Sequence, residues 1–85
     1  MKRVIKLSAG WCGPCKQYAP VFDRVTENLE GWEVLSLDID TDEGEKLAKD
    51  LGVRGVPATV VVVEGEETQI LMGYKSDSEL EKVLS

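Results

Sequence analysis

The stretch Ala58–Val63, ATVVVV, reads as apolar along its length, with Thr59 its one hydroxyl. A strand on a half-solvated sheet alternates apolar with polar side chains, whereas an unbroken run is buried on both faces. The chain therefore needs a central strand with helices packed above and below it. Its 85 residues allow one such domain, spanning 1–85, with no room for a second core. Hydrophobic residues make up 42% of the chain and charged residues 31%, a balance that can fill that core and is unlike a disordered segment.

The flanking sequence supplies the other layers. Arg3–Ser8 (RVIKLS) is a short strand rich in aliphatic and β-branched residues. Tyr18, Val21, Phe22, Val25 and Leu29 fall at i, i+3, i+4, i+7 and i+11, one face of a helix that starts near Gly13 and ends at Gly31. Pro20 lies inside it and should kink it. Trp32–Ile39 (WEVLSLDI) is the next strand. Asp42 and Glu45 match a capping pattern opening a short helix that stops at Gly52. After the loop VRGVP and the central strand, EGEE turns the chain into Thr68–Met72, an antiparallel hairpin partner. Ser76 and Glu79 form a capping box for a last helix with Leu80, Val83 and Leu84 inward. The order is βαβ, then a helix, then ββα. It predicts an α/β fold with a four-stranded mixed sheet, about three flanking helices and a right-handed parallel crossover.

Charge excludes several functions. The net charge is −6, with acidic runs at Asp38–Glu45 and Glu64–Glu67. Nucleic acids and anionic membranes require basic stripes instead. The acidic runs read as solvated loops and helix starts. No segment approaches the about 18–20 apolar residues that span a bilayer. MKRVIKL begins like a secretion signal, but Lys6 interrupts the apolar run and the cysteines follow at once. The expectation is a cytoplasmic monomer, in a compartment where structural disulfides are rare.

The chemistry concentrates in Ser8–Gln17, SAGWCGPCKQ, which holds both cysteines, Cys12 and Cys15. A tetrahedral zinc site needs four ligands, and the chain has two cysteines and no histidine. Only two chains sharing four thiols would complete one, so no metal is expected. A structural disulfide closing so small a loop gains little. Two thiols at a helix start are within disulfide reach. Unpaired N–H groups and the helix dipole favour the thiolate of the first. Pro14 fits the first turn, and Gly13 permits the tight approach. Cys12 can then attack a target disulfide, and Cys15, one turn inside, can release the reduced target. The only cofactor this chemistry needs is the Cys12–Cys15 disulfide itself.

The motif WCGPCK (Trp11–Lys16) resembles the active site of the thioredoxin family. The likeness covers nearly the whole chain. YAPVFDRV (Tyr18–Val25) resembles the family's first core helix with its kinking proline, and GVRGVPA (Gly52–Ala58) resembles the loop with its cis-proline, here Pro57. Gly73 matches the family's glycine near the substrate groove. The resemblance implies a thioredoxin-like fold and a cis bond before Pro57. It implies that the backbone of Val56, beside Gly55, pairs with an extended substrate, and that Trp11 flanks the groove.

Three departures stand out. The chain begins at the central strand, as compact glutaredoxin-like proteins do, which leaves a smaller core and one sheet edge less covered. The family's buried Asp six residues before the first cysteine is Lys6 here, and its partner Lys on the next strand is Ser36. Lys6 could point beneath the thiols and favour thiolate. The cost of burying a lysine favours one that snorkels to the surface. Tyr74 follows Gly73 where the family carries a small residue, and should narrow the groove.

The reading is a thiol–disulfide oxidoreductase of thioredoxin type. The resemblance implies reduction by a flavin-dependent thioredoxin reductase or equivalent donor, and protein disulfides as substrates, ribonucleotide reductase among them. Two alternatives compete. A glutathione-dependent glutaredoxin suits the short length, with Lys16 and Arg54 as contacts for glutathione carboxylates. A thioredoxin-fold binding subunit for a partner enzyme would make the redox chemistry incidental.

Overall fold

The computed structural model describes residues 1–85 as seven elements: β1 (Lys2–Ser8), α1 (Gly13–Thr26), β2 (Glu33–Asp38), α2 (Asp42–Leu51), β3 (Ala58–Val63), β4 (Gln69–Met72) and α3 (Asp77–Leu84). The four strands form one sheet in the order β2-β1-β3-β4. β1 pairs parallel with β2 and antiparallel with β3, and β3 pairs antiparallel with β4. The fold is the α/β mixed sheet with three helices that the element order predicts.

Two apolar layers sandwich the sheet. Val4 and Val61 meet Tyr18 and Phe22 of α1 and Leu80 and Leu84 of α3. Ile5 and Leu7 meet Ala58, Val60 and, from α2, Ala48 on the other face. ATVVVV thus lacks a polar face because helices cover both sides of its strand. Its single hydroxyl, Thr59, is fully buried and sits 2.7 Å from the Tyr18 hydroxyl.

The element ends differ from the sequence reading where side chains bond the backbone. α1 ends at Thr26 rather than Gly31. The Thr26 hydroxyl donates to the Phe22 carbonyl at 2.7 Å and satisfies one acceptor of the last turn. Leu29, the last periodic position, packs on the core from the turn beyond. The cap of α2 is Thr41, not Asp42. Its hydroxyl accepts from the Gly44 N–H at 3.1 Å and donates to the Asp38 carbonyl at 2.6 Å. Asp42, Glu43 and Glu45 occupy the first turn instead, where the dipole favours them. Gly52 ends α2 in the left-handed conformation, at φ 71°. α3 opens with the full Ser76–Glu79 capping box. Arg24 reaches from α1 to Asp77 of α3 with two parallel hydrogen bonds, at 2.7 and 2.8 Å. No helix is long and apolar enough to cross a membrane.

Candidate redox site

The site sits where β1 ends and α1 begins. Cys12 is the N-cap of α1, and its Sγ accepts the Cys15 backbone N–H at 3.1 Å. The sulfur thus lies at the positive end of the helix, against a donor that would otherwise be unpaired. Gly13 and Pro14 form the first turn, where proline's missing N–H has no partner to lose. Cys15 follows one turn inside and is disulfide-bonded to Cys12, with the Cα atoms 5.2 Å apart. Both cysteines are buried, packed with Ala9, Ile39 and Val56. No group of three or more His, Cys, Asp or Glu side chains gathers where it could hold a metal.

The loop before β3 closes the site from the opposite side. The Val56–Pro57 bond is cis. The Val56 carbonyl oxygen lies 3.6 Å from Cys12 Sγ, and the Val56 N–H makes no backbone hydrogen bond. Gly73, at φ 83°, donates its N–H to the Pro57 carbonyl at 2.8 Å, so the end of β4 is fixed beside the same loop. Gly55 approaches the Met72 side chain. Trp11 is 68% exposed beside Cys12. Tyr74 is half-exposed and meets Tyr18 edge-on, with ring centroids 5.9 Å apart. One side of its ring therefore faces the core and the other faces solvent.

Sequence reasoning placed two residues differently or missed them. Lys6 stays largely buried, with only its tip reaching water. It is 7% exposed, with its Nζ 5.4 Å from the centre of the Phe22 ring. The register puts it between Ser36 of β2 and Thr59 of β3, so it rises beneath α1 and not toward an edge. Asp40 accepts the Trp11 indole N–H at 3.0 Å. The signal for Asp40 was available: β2 runs parallel to β1, so its C-terminal end must lie beside the cysteine motif. Lys16 and Arg54 are both exposed and unpaired.

Comparison with known proteins agrees with this geometry. The thioredoxin family model matches residues 1–85. A thioredoxin of Malassezia sympodialis is 34% identical over 70 residues, covering 82% of this chain and 67% of the relative. A thioredoxin of Bacillus subtilis is 32% identical over 77 residues, covering 91% and 73%. The chain spans between 64% and 81% of the length of such curated relatives. Among solved structures, a mutant thioredoxin from Halobacterium salinarum superposes with a TM-score of 0.83 at 31% identity, over 98% of this chain and 71% of that one. With the paired thiols at the start of α1, these matches establish that the chain belongs to the thioredoxin family of thiol–disulfide oxidoreductases.

Proposed function

We propose that the chain reduces protein disulfides as a single-domain monomer of the cytoplasm, with Cys12 as nucleophile and Cys15 as resolving thiol. The observation that carries this is the position of Cys12 Sγ, capped by the Cys15 N–H at the helix start. The Cys12 thiolate attacks one sulfur of the target disulfide. A Cys12–target bond forms, and the other target sulfur leaves as thiolate. Cys15 then loses its proton and attacks the Cys12 sulfur. The mixed disulfide breaks, the second target sulfur leaves with its electron pair, and the Cys12–Cys15 disulfide remains. Two electrons have passed to the target, which takes up two protons as its dithiol.

The free Val56 N–H supports an extended substrate pairing with this loop, strand to strand. Gly55, Pro57 and Gly73 keep bulk out of that path, and Trp11 and Tyr74 border it. No cofactor beyond the disulfide enters. The electron donor is a flavin-dependent thioredoxin reductase or its equivalent, and ribonucleotide reductase is one candidate among the protein targets.

The test is reduction of the oxidised chain by two systems in parallel, NADPH with thioredoxin reductase and NADPH with glutathione and its reductase. Rapid turnover with the first alone is the expected result. Turnover with the second alone would overturn this reading in favour of a glutaredoxin and make Lys16 and Arg54 the glutathione contacts.

A further inference from the structure

A pocket of about 220 Å³, open to solvent, lies beside the disulfide, and Lys6, Ser8, Cys15, Lys16 and Asp38 line it. Cys15 faces this pocket and Cys12 does not. Lys6 forms its floor beneath the α1 face that carries Cys15, Ala19 and Phe22 at i, i+4 and i+7. Its side chain makes no hydrogen bond and no ion pair. No fully buried side-chain nitrogen or oxygen lacks a partner, so the tip of Lys6 still touches water. An apolar side chain would fill this place without the cost of desolvating an amine. The Phe22 ring face accounts for part of that tolerance. Water in the open pocket accounts for the rest, and the same pocket sets the ammonium beside Cys15.

We propose that Lys6 is a positioning residue for Cys15: its ammonium, in the pocket floor, stabilises the Cys15 thiolate that resolves the mixed disulfide. The proposal rests on the assignment of Cys15 as resolving thiol. In that step Cys15 gives its proton to pocket water, its sulfur bonds to Cys12, and the target sulfur leaves with the electron pair. A cation nearby lowers the cost of the transient anion. Two other charges face the same pocket. Lys16 acts with Lys6 from the exposed side of α1, and Asp38 acts against it from the end of β2. The Asp38 carboxylate also accepts the Asp40 N–H at 2.8 Å.

The test isolates Cys15 in a Cys12→Ser chain and titrates its thiolate by ultraviolet absorbance. Lys6→Met in that background should raise the midpoint by about one pH unit, and Lys6→Arg should restore most of it. In the otherwise native chain, stopped-flow reaction with an aromatic disulfide separates attack by Cys12 from resolution by Cys15. Lys6→Met should slow the second phase at neutral pH by up to about tenfold and leave the first within about twofold. An unmoved Cys15 midpoint, or equal slowing of both phases, overturns the proposal. If Lys6→Met does not fold, Lys6→Gln in the same background decides, because it also removes the charge: a raised Cys15 midpoint is expected and an unmoved one would overturn the proposal. A native chain whose Cys12 never attacks would instead defeat the functional reading, and the Cys15 titration would still stand.

Discussion

The Tyr18 and Thr59 hydroxyls meet at 2.7 Å inside the core, where one helix of the upper layer crosses the central strand. Each is fully buried, and each is the other's hydrogen-bond partner. Burial pushes the Tyr18 phenol above its ordinary range, and the hydrogen bond to Thr59 partly opposes that. Removing one hydroxyl leaves the other desolvated without a partner. Tyr18→Phe and Thr59→Val should each destabilise the fold by about 1–3 kcal/mol. The double variant should lose clearly less than the sum, because no orphan remains. Urea denaturation of the four proteins measures this. Strict additivity would mean that the pair contributes nothing specific.

Gly44 is required by close approach. A methyl group on its Cα would overlap the Asp38 backbone carbonyl, which the first turn of α2 overlies. Backbone cannot yield as a flexible side chain does. Gly44→Ala should therefore destabilise by about 1–3 kcal/mol, although alanine is the better helix former. A denaturation midpoint at or above that of the native chain would contradict this packing.

Acid should loosen the junction of α1 with α3. The hydrogen bond from Arg24 holds the Asp77 carboxyl below the ordinary value of 3.8. The Ser76 backbone N–H holds that of Glu79 below 4.5. Lowered folded values mean that the stabilisation is complete above the unfolded values and is lost as pH falls through the folded ones. Melting followed by circular dichroism from about pH 6 to about pH 3 should show this loss below about pH 5. Both groups are exposed, so the effect should be small and should shrink in high salt. In Arg24→Met the Asp77 part should vanish. An identical pH profile in that variant would show that the pair is inert.

Asp40 should tune the groove without supporting the fold. Its carboxylate accepts the Trp11 indole N–H at 3.0 Å, and both residues are exposed. Asp40→Ala should change stability by no more than about 0.5 kcal/mol. It should raise KM for a protein disulfide while leaving kcat close to native, because Trp11 loses its anchor and not its place beside Cys12. A fall in kcat at unchanged KM would move Asp40 from positioning into the chemical steps.

What the sequence revealed depended on how local the cause was. The unbroken ATVVVV run, the helical spacing from Tyr18 to Val25 and the Ser76–Glu79 box act within a few residues, and each element formed where it was read. The C-terminal end of α1 and the cap of α2 shifted because Thr26 and Thr41 bond backbone atoms three or four residues away. Such hydroxyl bonds compete with helix geometry and leave no periodic trace. The acidic run at Asp38–Glu45 hid two residues of the site behind a solvated reading, and only the parallel pairing of β1 with β2 brings them to the thiols. The depth of Lys6 was less legible still. It depends on the central place of β1 between β2 and β3 and on the cover given by α1.

Cys12 is tested as the attacking thiol by the mass of the adduct left after Cys15→Ser and Cys12→Ser chains, each reduced, are mixed with a disulfide substrate. The expected result is a stable mixed disulfide on Cys12 in Cys15→Ser, formed rapidly at neutral pH, and far slower labelling of Cys15 in Cys12→Ser. Equal labelling of the two, or faster labelling of Cys15, would contradict the assignment of Cys12 as the attacking thiol.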